Sequence, residues 1–347
     1  MSWSLRHALV TGISGQDGAL LAAHLLARGV AVTGTQRPGR VLDDWRLREL
    51  GIADDSRLRV IALDPTDAGA CAQLLGANAF DAVFHLAGQS RVADSFRDPL
   101  GSLAANGHST IHLLEAQRLH APQTRLVLAA SAEIFGAPAQ SPQDESAPLA
   151  ARSPYGVSKL LAHASVAAWR ASYGLHASSA ILFNHESSLR DEAFVTRKIT
   201  LGVARIARGI ERDLVLGNLD ARRDFGYAPD FVAAMAAMVG RESGDDYVLA
   251  TGHAASIREF AGAAFAAIGC ALDWQGRGVE EVAVDRASGV VRVRIDGSLL
   301  RPFDAPLLVG NAAKARAALG FVPTLDLAAL ARTMIEADLA RLDASGT

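Results

Sequence analysis

The sequence predicts a doubly wound parallel α/β fold with a smaller α/β lobe toward the C-terminus. Three observations carry this. Short apolar runs at 7–10, 30–35, 58–63, 82–87, 125–130 and 177–183 lack the polar alternation of a half-exposed strand, so they read as strands buried on both faces. Helical patterns fill the gaps at 66–75, 100–119 and 155–173, which is the alternation that builds a parallel sheet covered by helices. The first run leads straight into a glycine repeat, Gly12, Gly15 and Gly18, with a helical pattern following through Leu20, Leu21, Leu25 and Leu26.

That strand, glycine turn and helix start form the stretch around which the chain is organised. Glycines let backbone N–H groups approach a pyrophosphate, and the helix dipole favours its negative charge, as in a Rossmann dinucleotide site. The second strand ends at Gly34-Thr35-Gln36-Arg37, and a polar stretch with a short helix near 45–50 follows. An acid closing this strand would bind the adenosine ribose hydroxyls, whereas an arginine accommodates a 2′-phosphate. With no acid before Asp43, Arg37 points to NADP as cofactor. Asp64, just past the third strand, is placed either to meet the adenine or to cap the next helix at Thr66. The fourth strand is apolar except for His85.

After the fifth strand comes Ser131-Ala132-Glu133, at the strand end where ligands gather in such sheets. Ser131 is placed to hydrogen-bond a reacting oxygen. Glu133 is either a second acid/base or a turn carboxylate. The helix that follows opens Tyr155-Gly156-Val157-Ser158-Lys159, and a spacing of four puts the phenol and the ammonium on one face. Half-ionising a tyrosine at pH 7 needs a shift of roughly 3 units, about 4 kcal/mol, and the Lys159 cation together with a positive nicotinamide ring is expected to supply much of it. Tyr155 would then exchange a proton with a sugar or alcohol hydroxyl.

Beyond Phe183 the regularity fails. A polar, irregular stretch (184–192) precedes a helix at 194–207, a short strand at 214–216, a second polar patch (222–230) and another apolar helix. A strand at 247–250, a helix at 257–268, a strand at 290–295 and a last helix at 327–342 follow. Residues 1–183, with 224–255 returning to them, are expected to form the NADP-binding domain, and 184–223 with 256–347 the substrate lobe.

With 50% hydrophobic and 20% charged residues the chain has the profile of a globular enzyme. A net charge of −3 carries no nucleic-acid or anionic-membrane signal. The two cysteines, Cys71 and Cys270, form no metal or redox motif, so no metal is expected and a reducing cytoplasm is the expected compartment. No apolar run approaches the roughly 20 residues that span a bilayer.

The stretches Thr11 to Gly18, Arg152-Ser153-Pro154-Tyr155 and Ile181 to Ser187 resemble the extended short-chain dehydrogenase/reductases, and within that group the GDP-mannose 4,6-dehydratases. Phe194 to Thr200, Leu216 to Asp220, Arg223-Asp224-Phe225-Gly226, and Arg301-Pro302 with Asp304 and Gly310 extend the likeness to the end of the chain. The resemblance implies a GDP-sugar substrate, NADP and a hydro-lyase reaction. Tyr155 would deprotonate the C4 hydroxyl, Glu133 would remove the C5 proton as the C6 hydroxyl leaves, and Ser131 and Lys159 would assist. It places Gly12, Ser14, Gly15, Gln16, Asp17, Gly18, Arg37, Asp64, Leu86, Ala87, Tyr155, Lys159 and His185 against the cofactor. It places Ser90, Asn184, Lys198, Gly217, Arg223, Arg301 and Asp304 against the nucleotide sugar.

The family has threonine at Ser131 and a polar residue at Ala132, where alanine has no proton to give. The stretches 85–90 and 96–99 resemble the companion GDP-4-keto-6-deoxy-mannose reductases, leaving a reductase or epimerase, or a silent nucleotide-sugar-binding homologue, as alternatives. A homodimer through helices 100–119 and 155–173 is the expected assembly, with a homotetramer as its alternative, because 37–56 matches the family only loosely.

Overall fold

The computed structural model describes residues 3–345 apart from 40, 139, 301–304 and 306, so Arg301 and Asp304 lie outside the described residues. The chain begins with β1 (His7–Thr11), α1 (Gln16–Leu26), β2 (Ala31–Gln36), a short α2 (Trp45–Glu49), β3 (Leu58–Ala62), α3 (Ala68–Ala77) and β4 (Ala82–His85). It continues with α4 (Val92–Arg97), α5 (Pro99–Ser102), a π-helical segment (Leu103–His108), α6 (Ser109–His120), β5 (Arg125–Ala129), α7 (Pro154–Tyr173) and β6 (Ala177–Leu182). The second half adds β7 (Asn184–Glu186), α8 (Val195–Ala207), β8 (Leu214–Leu216), β9 (Arg222–Tyr227), α9 (Ala228–Met238) and β10 (Asp246–Leu249). Then come β11 (Ala254–Ser256), α10 (Ile257–Ala267), β12 (Leu272–Gln275), β13 (Val282–Asp285), β14 (Val291–Ile295), β15 (Leu307–Leu308), α11 (Ala313–Leu319) and α12 (Leu327–Ser345).

Seven strands form the main sheet in the order β10-β6-β5-β4-β1-β2-β3, every neighbouring pair parallel. Successive residues of each strand go to opposite faces, and both faces are dry. Leu9, Val83 and Leu126 pack on Leu113, Leu114 and Val166 of α6 and α7. Val10, Phe84 and Val127 pack on Leu21 and Leu25 of α1 and Met235 of α9. This is why the strands read as unbroken apolar runs. The order reverses between β1 and β4, so the loops after these two strands open a crevice at the sheet's C-terminal edge, where ligands bind in such folds.

The second lobe carries two smaller sheets. Strand β9 pairs with β11, β15 and β7, and β12-β13-β14-β8 forms the other. Its core gathers Ile199 and Val203 of α8, Phe260 and Phe265 of α10, and Met334 and Ile335 of α12. Segments α9 and β10 return to the main sheet, α9 onto α1 and β10 beside β6.

Several expectations are corrected. The irregular stretch at 184–192 begins with β7, whose residues pair with Phe225 to Tyr227. The polar patch at 222–230 is largely β9, a strand that buries charge: Asp224 accepts from Thr251 N, Thr251 Oγ1 and Gly252 N at 2.8, 2.7 and 2.8 Å, and from Gly310 N at 3.3 Å. A carboxylate that collects backbone donors looks like a loop residue in sequence. The helix at 100–119 is interrupted by the π-helical segment, and α4, α11, β11, β12, β13 and β15 were not anticipated. The β12–β13 pair is short and only part-buried, so its hydrophobic pattern is weak. Among the described residues no helix is long and apolar enough to cross a membrane, and no cluster of residues could hold a metal ion.

Candidate active site

The glycine turn is built by close approach. Gly12 has φ of +75°, and a Cβ there would lie 2.9 Å from the backbone of Ala87. A Cβ at Gly18 would collide with the Gly12 carbonyl. Gly15 caps α1 without a side-chain acceptor on the first N–H groups, so the helix N-terminus faces the crevice with its donors presented.

Thr11 fixes the opposite wall. Its Oγ1 accepts from Leu86 N at 3.1 Å and Ala87 N at 3.0 Å, which directs its own proton to His85 Nδ1 at 2.9 Å. His85 Nε2 then donates to Ser109 Oγ at 3.0 Å. Burial, with the nearby Lys159 cation, holds the His85 imidazole at about 3, so the ring is neutral and its tautomer set.

Between these walls lies a cavity of about 670 Å³, within the usual range for ligand sites. Its lining includes Gly12, Ser14, Gly15, Gln16, Asp17, Gly18, Arg37, Asp64, Leu86, Ala87 and Ser90, all expected from sequence. Arg37 is exposed at the outer end. Asp64 Oδ1 accepts from Thr66 N at 2.9 Å and Thr66 Oγ1 at 2.8 Å, so it closes a turn while lining the cavity, and the α3 cap is Asp67.

Asp17 and His185 form a pair beneath the turn. His185 Nε2 donates to Asp17 Oδ2 at 2.9 Å and Nδ1 to the Phe183 carbonyl at 2.7 Å, while its face stacks on Phe231 at 4.9 Å. Burial works to raise the Asp17 carboxyl, but His185, Arg190 and Gln16 outweigh it and hold it at about 2. Burial works to lower His185, yet Asp17 holds it above its ordinary value. With both ring nitrogens donating, His185 does not line the cavity.

The residues expected to react, Ser131, Glu133, Tyr155 and Lys159, come together outside the residues that line this cavity, within electrostatic reach of Asp17 and Arg190 on its wall. Ser153 caps α7, accepting from Gly156 N at 3.0 Å, and Pro154 takes the first helical position. Tyr155 therefore sits in the first turn and Lys159 one turn later, both buried. Lys159 Nζ donates to the Ala129 carbonyl at 2.8 Å and lies 6.0 Å from the Tyr155 ring centre. Burial pulls this ammonium down to about 8, with Asp17 opposing.

Burial pushes the Tyr155 phenol up to about 12; a hydrogen bond with Ser131 and the Arg190 cation pull it back, while Glu133 and Asp17 push it further. The expected large acidification by Lys159 is thus not built into the protein alone. Ser131 also caps the short turn Ala132–Phe135, accepting from Glu133 N at 3.3 Å, and this turn holds Glu133 within electrostatic reach of the phenol. Ala132 is 5% exposed and packed in the apolar cluster with Ile134 and Phe135.

The nucleotide-sugar residues are more scattered. Asn184 is half-buried in β7, and Gly217 brings its backbone close to that of Leu299. Lys198 is exposed, facing Asp296. Arg223 is buried in β9, with Nη1 donating to Ala305 O at 2.6 Å and Arg222 O at 2.9 Å.

Sequence reasoning missed Arg190. Its Nε lies 3.1 Å from Glu186 Oε2, its guanidinium covers the Phe194 ring at 3.6 Å, and it lines the cavity within electrostatic reach of both Tyr155 and Asp17. Its signal was present as the cation closing a polar break next to His185 and Glu186. Arg46 and Asp43, also on the lining, gave no pattern.

A glycine turn at the sheet's switch point, beside a buried Tyr-x-x-x-Lys helix and a serine at the end of β5, defines an enzyme of the extended short-chain dehydrogenase/reductase type. Comparison with known proteins narrows this: the pattern of the GDP-mannose 4,6 dehydratase family matches residues 9–334, and the chain belongs to that family. It is 42% identical over 339 residues to GDP-mannose 4,6-dehydratase sdnI of Sordaria araneosa, covering 96% of this chain and 61% of that longer one. It is 39% identical over 340 residues to the GDP-mannose 4,6-dehydratase of Sinorhizobium fredii, covering 96% and 97%. Among solved structures, RMD from Pseudomonas aeruginosa complexed with NADPH shares the fold with a TM-score of 0.76 at 23% identity, over 97% of this chain and 100% of that one.

Proposed function

We propose that the protein converts GDP-mannose to GDP-4-keto-6-deoxy-mannose and water, with NADP in the cavity. The carrying observation is a carboxylate, Glu133, within electrostatic reach of the Tyr155 phenol and offered by the turn that Ser131 caps. Reduction of a keto-sugar needs one proton donor, whereas dehydration also needs a group to remove the C5 proton. The family relatives support the same reading.

The cavity residues fit the dinucleotide. Glycines at 12 and 18, where a Cβ would strike backbone, let a diphosphate lie against the N–H groups of the turn. Arg37 at the outer end suits a 2′-phosphate, with Asp64 beside it toward the adenosine, and Arg190 brings a cation to the inner end. His185 acts by fixing Asp17 and Gln16 behind the turn. Bound NADP supplies the reversible hydride acceptor that a net dehydration requires.

Tyr155 takes the proton of the C4 hydroxyl, with Ser131 hydrogen-bonded to the phenol and Lys159 nearby as a cation. Once C4 is a ketone, its neighbouring C5 proton is acidic. Glu133 removes that proton and, because Ala132 offers no donor, passes it to the departing C6 hydroxyl as water leaves. Hydride return to C6 is then matched by a proton added at C5 while Tyr155 gives up the one it took from the C4 hydroxyl, so no net proton or hydride stays behind. Ser90, Asn184, Lys198, Gly217 and Arg223, with Arg301 and Asp304, hold the GDP-sugar between the lobes. In this reading the main-sheet domain, to which α9 and β10 return, carries the cofactor, and the second lobe, which includes β9 and β11, carries the substrate.

A homodimer in the cytoplasm completes the proposal. Leu100 and Val157, on the adjoining α5 and α7, are 76% and 45% exposed, an apolar face suited to a second copy and checked by light scattering.

Incubation with GDP-mannose and no added reductant tests the function. A 4-keto-6-deoxy product is expected. Product formed only from a keto-sugar, with stoichiometric NADPH loss, would establish the reductase instead.

A further inference from the structure

Arg46 sits on the five-residue helix α2, between the glycine turn and the segment after β7. It is 7% exposed although nothing in a short amphipathic helix requires a buried cation. Its Nε donates to the Leu189 carbonyl at 2.7 Å and its Nη1 to the Ser14 carbonyl at 3.0 Å. One planar guanidinium therefore joins the backbone of the phosphate-binding turn to the residue immediately before Arg190. The Trp45 ring lies 4.4 Å from it, and the exposed Asp43 carboxylate is 3.9 Å away.

A second tie runs from the same turn to the same segment: Ser187 Oγ donates to Gln16 Oε1 at 2.9 Å. Arg190, next in the chain, is aimed by Glu186 and Phe194 into the cavity. Lysine could not reproduce the Arg46 contacts, because its ammonium is a point charge without a rigid fork. Burying such a cation is costly unless its donors find partners, and here Nε and Nη1 are spent on joining two walls of one site.

We propose that Arg46 is a positioning residue that locks the glycine turn to the 187–190 segment, so that Arg190 is delivered to the dinucleotide. This rests on the reading that the cavity holds NADP. Arg46 acts through Arg190, and its loss is felt as weakened cofactor affinity even where the fold survives.

The test is a double-mutant cycle in NADPH affinity, read by fluorescence titration, with thermal unfolding of the ligand-free proteins alongside. R46Q and R190Q are each expected to weaken NADPH about tenfold. The double variant is expected to bind within about twofold of R190Q alone, because a positioning group has nothing left to position. R46K, which keeps charge but not the fork, should recover little of the loss, and paired with R190Q it supplies the same cycle if R46Q does not fold. Wild-type affinity in R46Q, losses that multiply in the double variant, or full recovery in R46K would each overturn the proposal. A wild-type protein that binds no NADPH would overturn the cavity reading and this proposal together, whereas normal wild-type binding with an unchanged R46Q overturns the proposal alone.

Discussion

The proposed reaction divides its proton transfers between Glu133 and Tyr155, and each gives a distinct experimental signature. Glu133→Gln removes the base for C5 but leaves the phenol, so turnover should fall by about 10²–10⁴-fold while C4 oxidation continues. Mixing that variant with GDP-mannose and NADP should therefore let reduced nicotinamide accumulate, seen in its near-ultraviolet absorbance. Lys159 sets the alkaline limb. Its buried ammonium titrates near 8, so kcat/KM should decline as pH rises through that value and the cation is lost; a pH profile checks it, and Lys159→Arg should move the limb upward if it is active. Tyr155 and Lys159 were legible in sequence because their spacing and context are fixed by chemistry. Arg190 closes a polar break in the sequence, but what aims it, the Glu186 carboxylate and the Phe194 ring, becomes visible only once the 186–194 segment is folded against the cavity.

At the scale of elements, two buried carboxylates hold strands and turns in place. Asp224 receives three backbone N–H groups across β9, the 251–252 turn and Gly310. Asp224→Ala would leave them unsatisfied, costing about 3–9 kcal/mol at ~1–3 kcal/mol per group, seen as a lowered unfolding temperature. The Asp17–His185 pair predicts a pH window. Asp17 is held at about 2, below its ordinary 3.8, so its contribution is complete above the higher value and is lost as pH falls toward the lower. His185 is raised above 6.5, so its contribution is complete below 6.5 and is lost as pH climbs through the raised value. Denaturant unfolding across pH should show both limbs flattened in Asp17→Asn. The strands of the main sheet were readable as apolar runs because both faces are covered. Strands β9, β12 and β13 were not, since one buries charge through hydrogen bonds and the others are short and part-exposed.

On the scale of the whole molecule, the sheet's reversal between β1 and β4 brings the glycine turn and the 86–91 loop to one edge, and the segment between β7 and α8 adds Arg190, Asp191 and Phe194 to the cavity they line. The doubly wound domain could be read from the sequence because its strands, covered on both faces, stand out as unbroken apolar runs alternating with helices. The lobe could not, because its strands are short, and β9 carries Arg222, Arg223 and Asp224 where an apolar run would announce a strand. The account stands on a single enzyme performing oxidation, elimination and reduction on one bound sugar. That claim is tested by incubating the protein with GDP-mannose deuterated at C4 and a trace of unlabelled NADP, then reading the product by mass spectrometry and NMR. The account predicts deuterium at C6 of the 4-keto-6-deoxy sugar with the cofactor pool unchanged. Unaltered GDP-mannose, or label recovered in free NADPH in proportion to product, would contradict it.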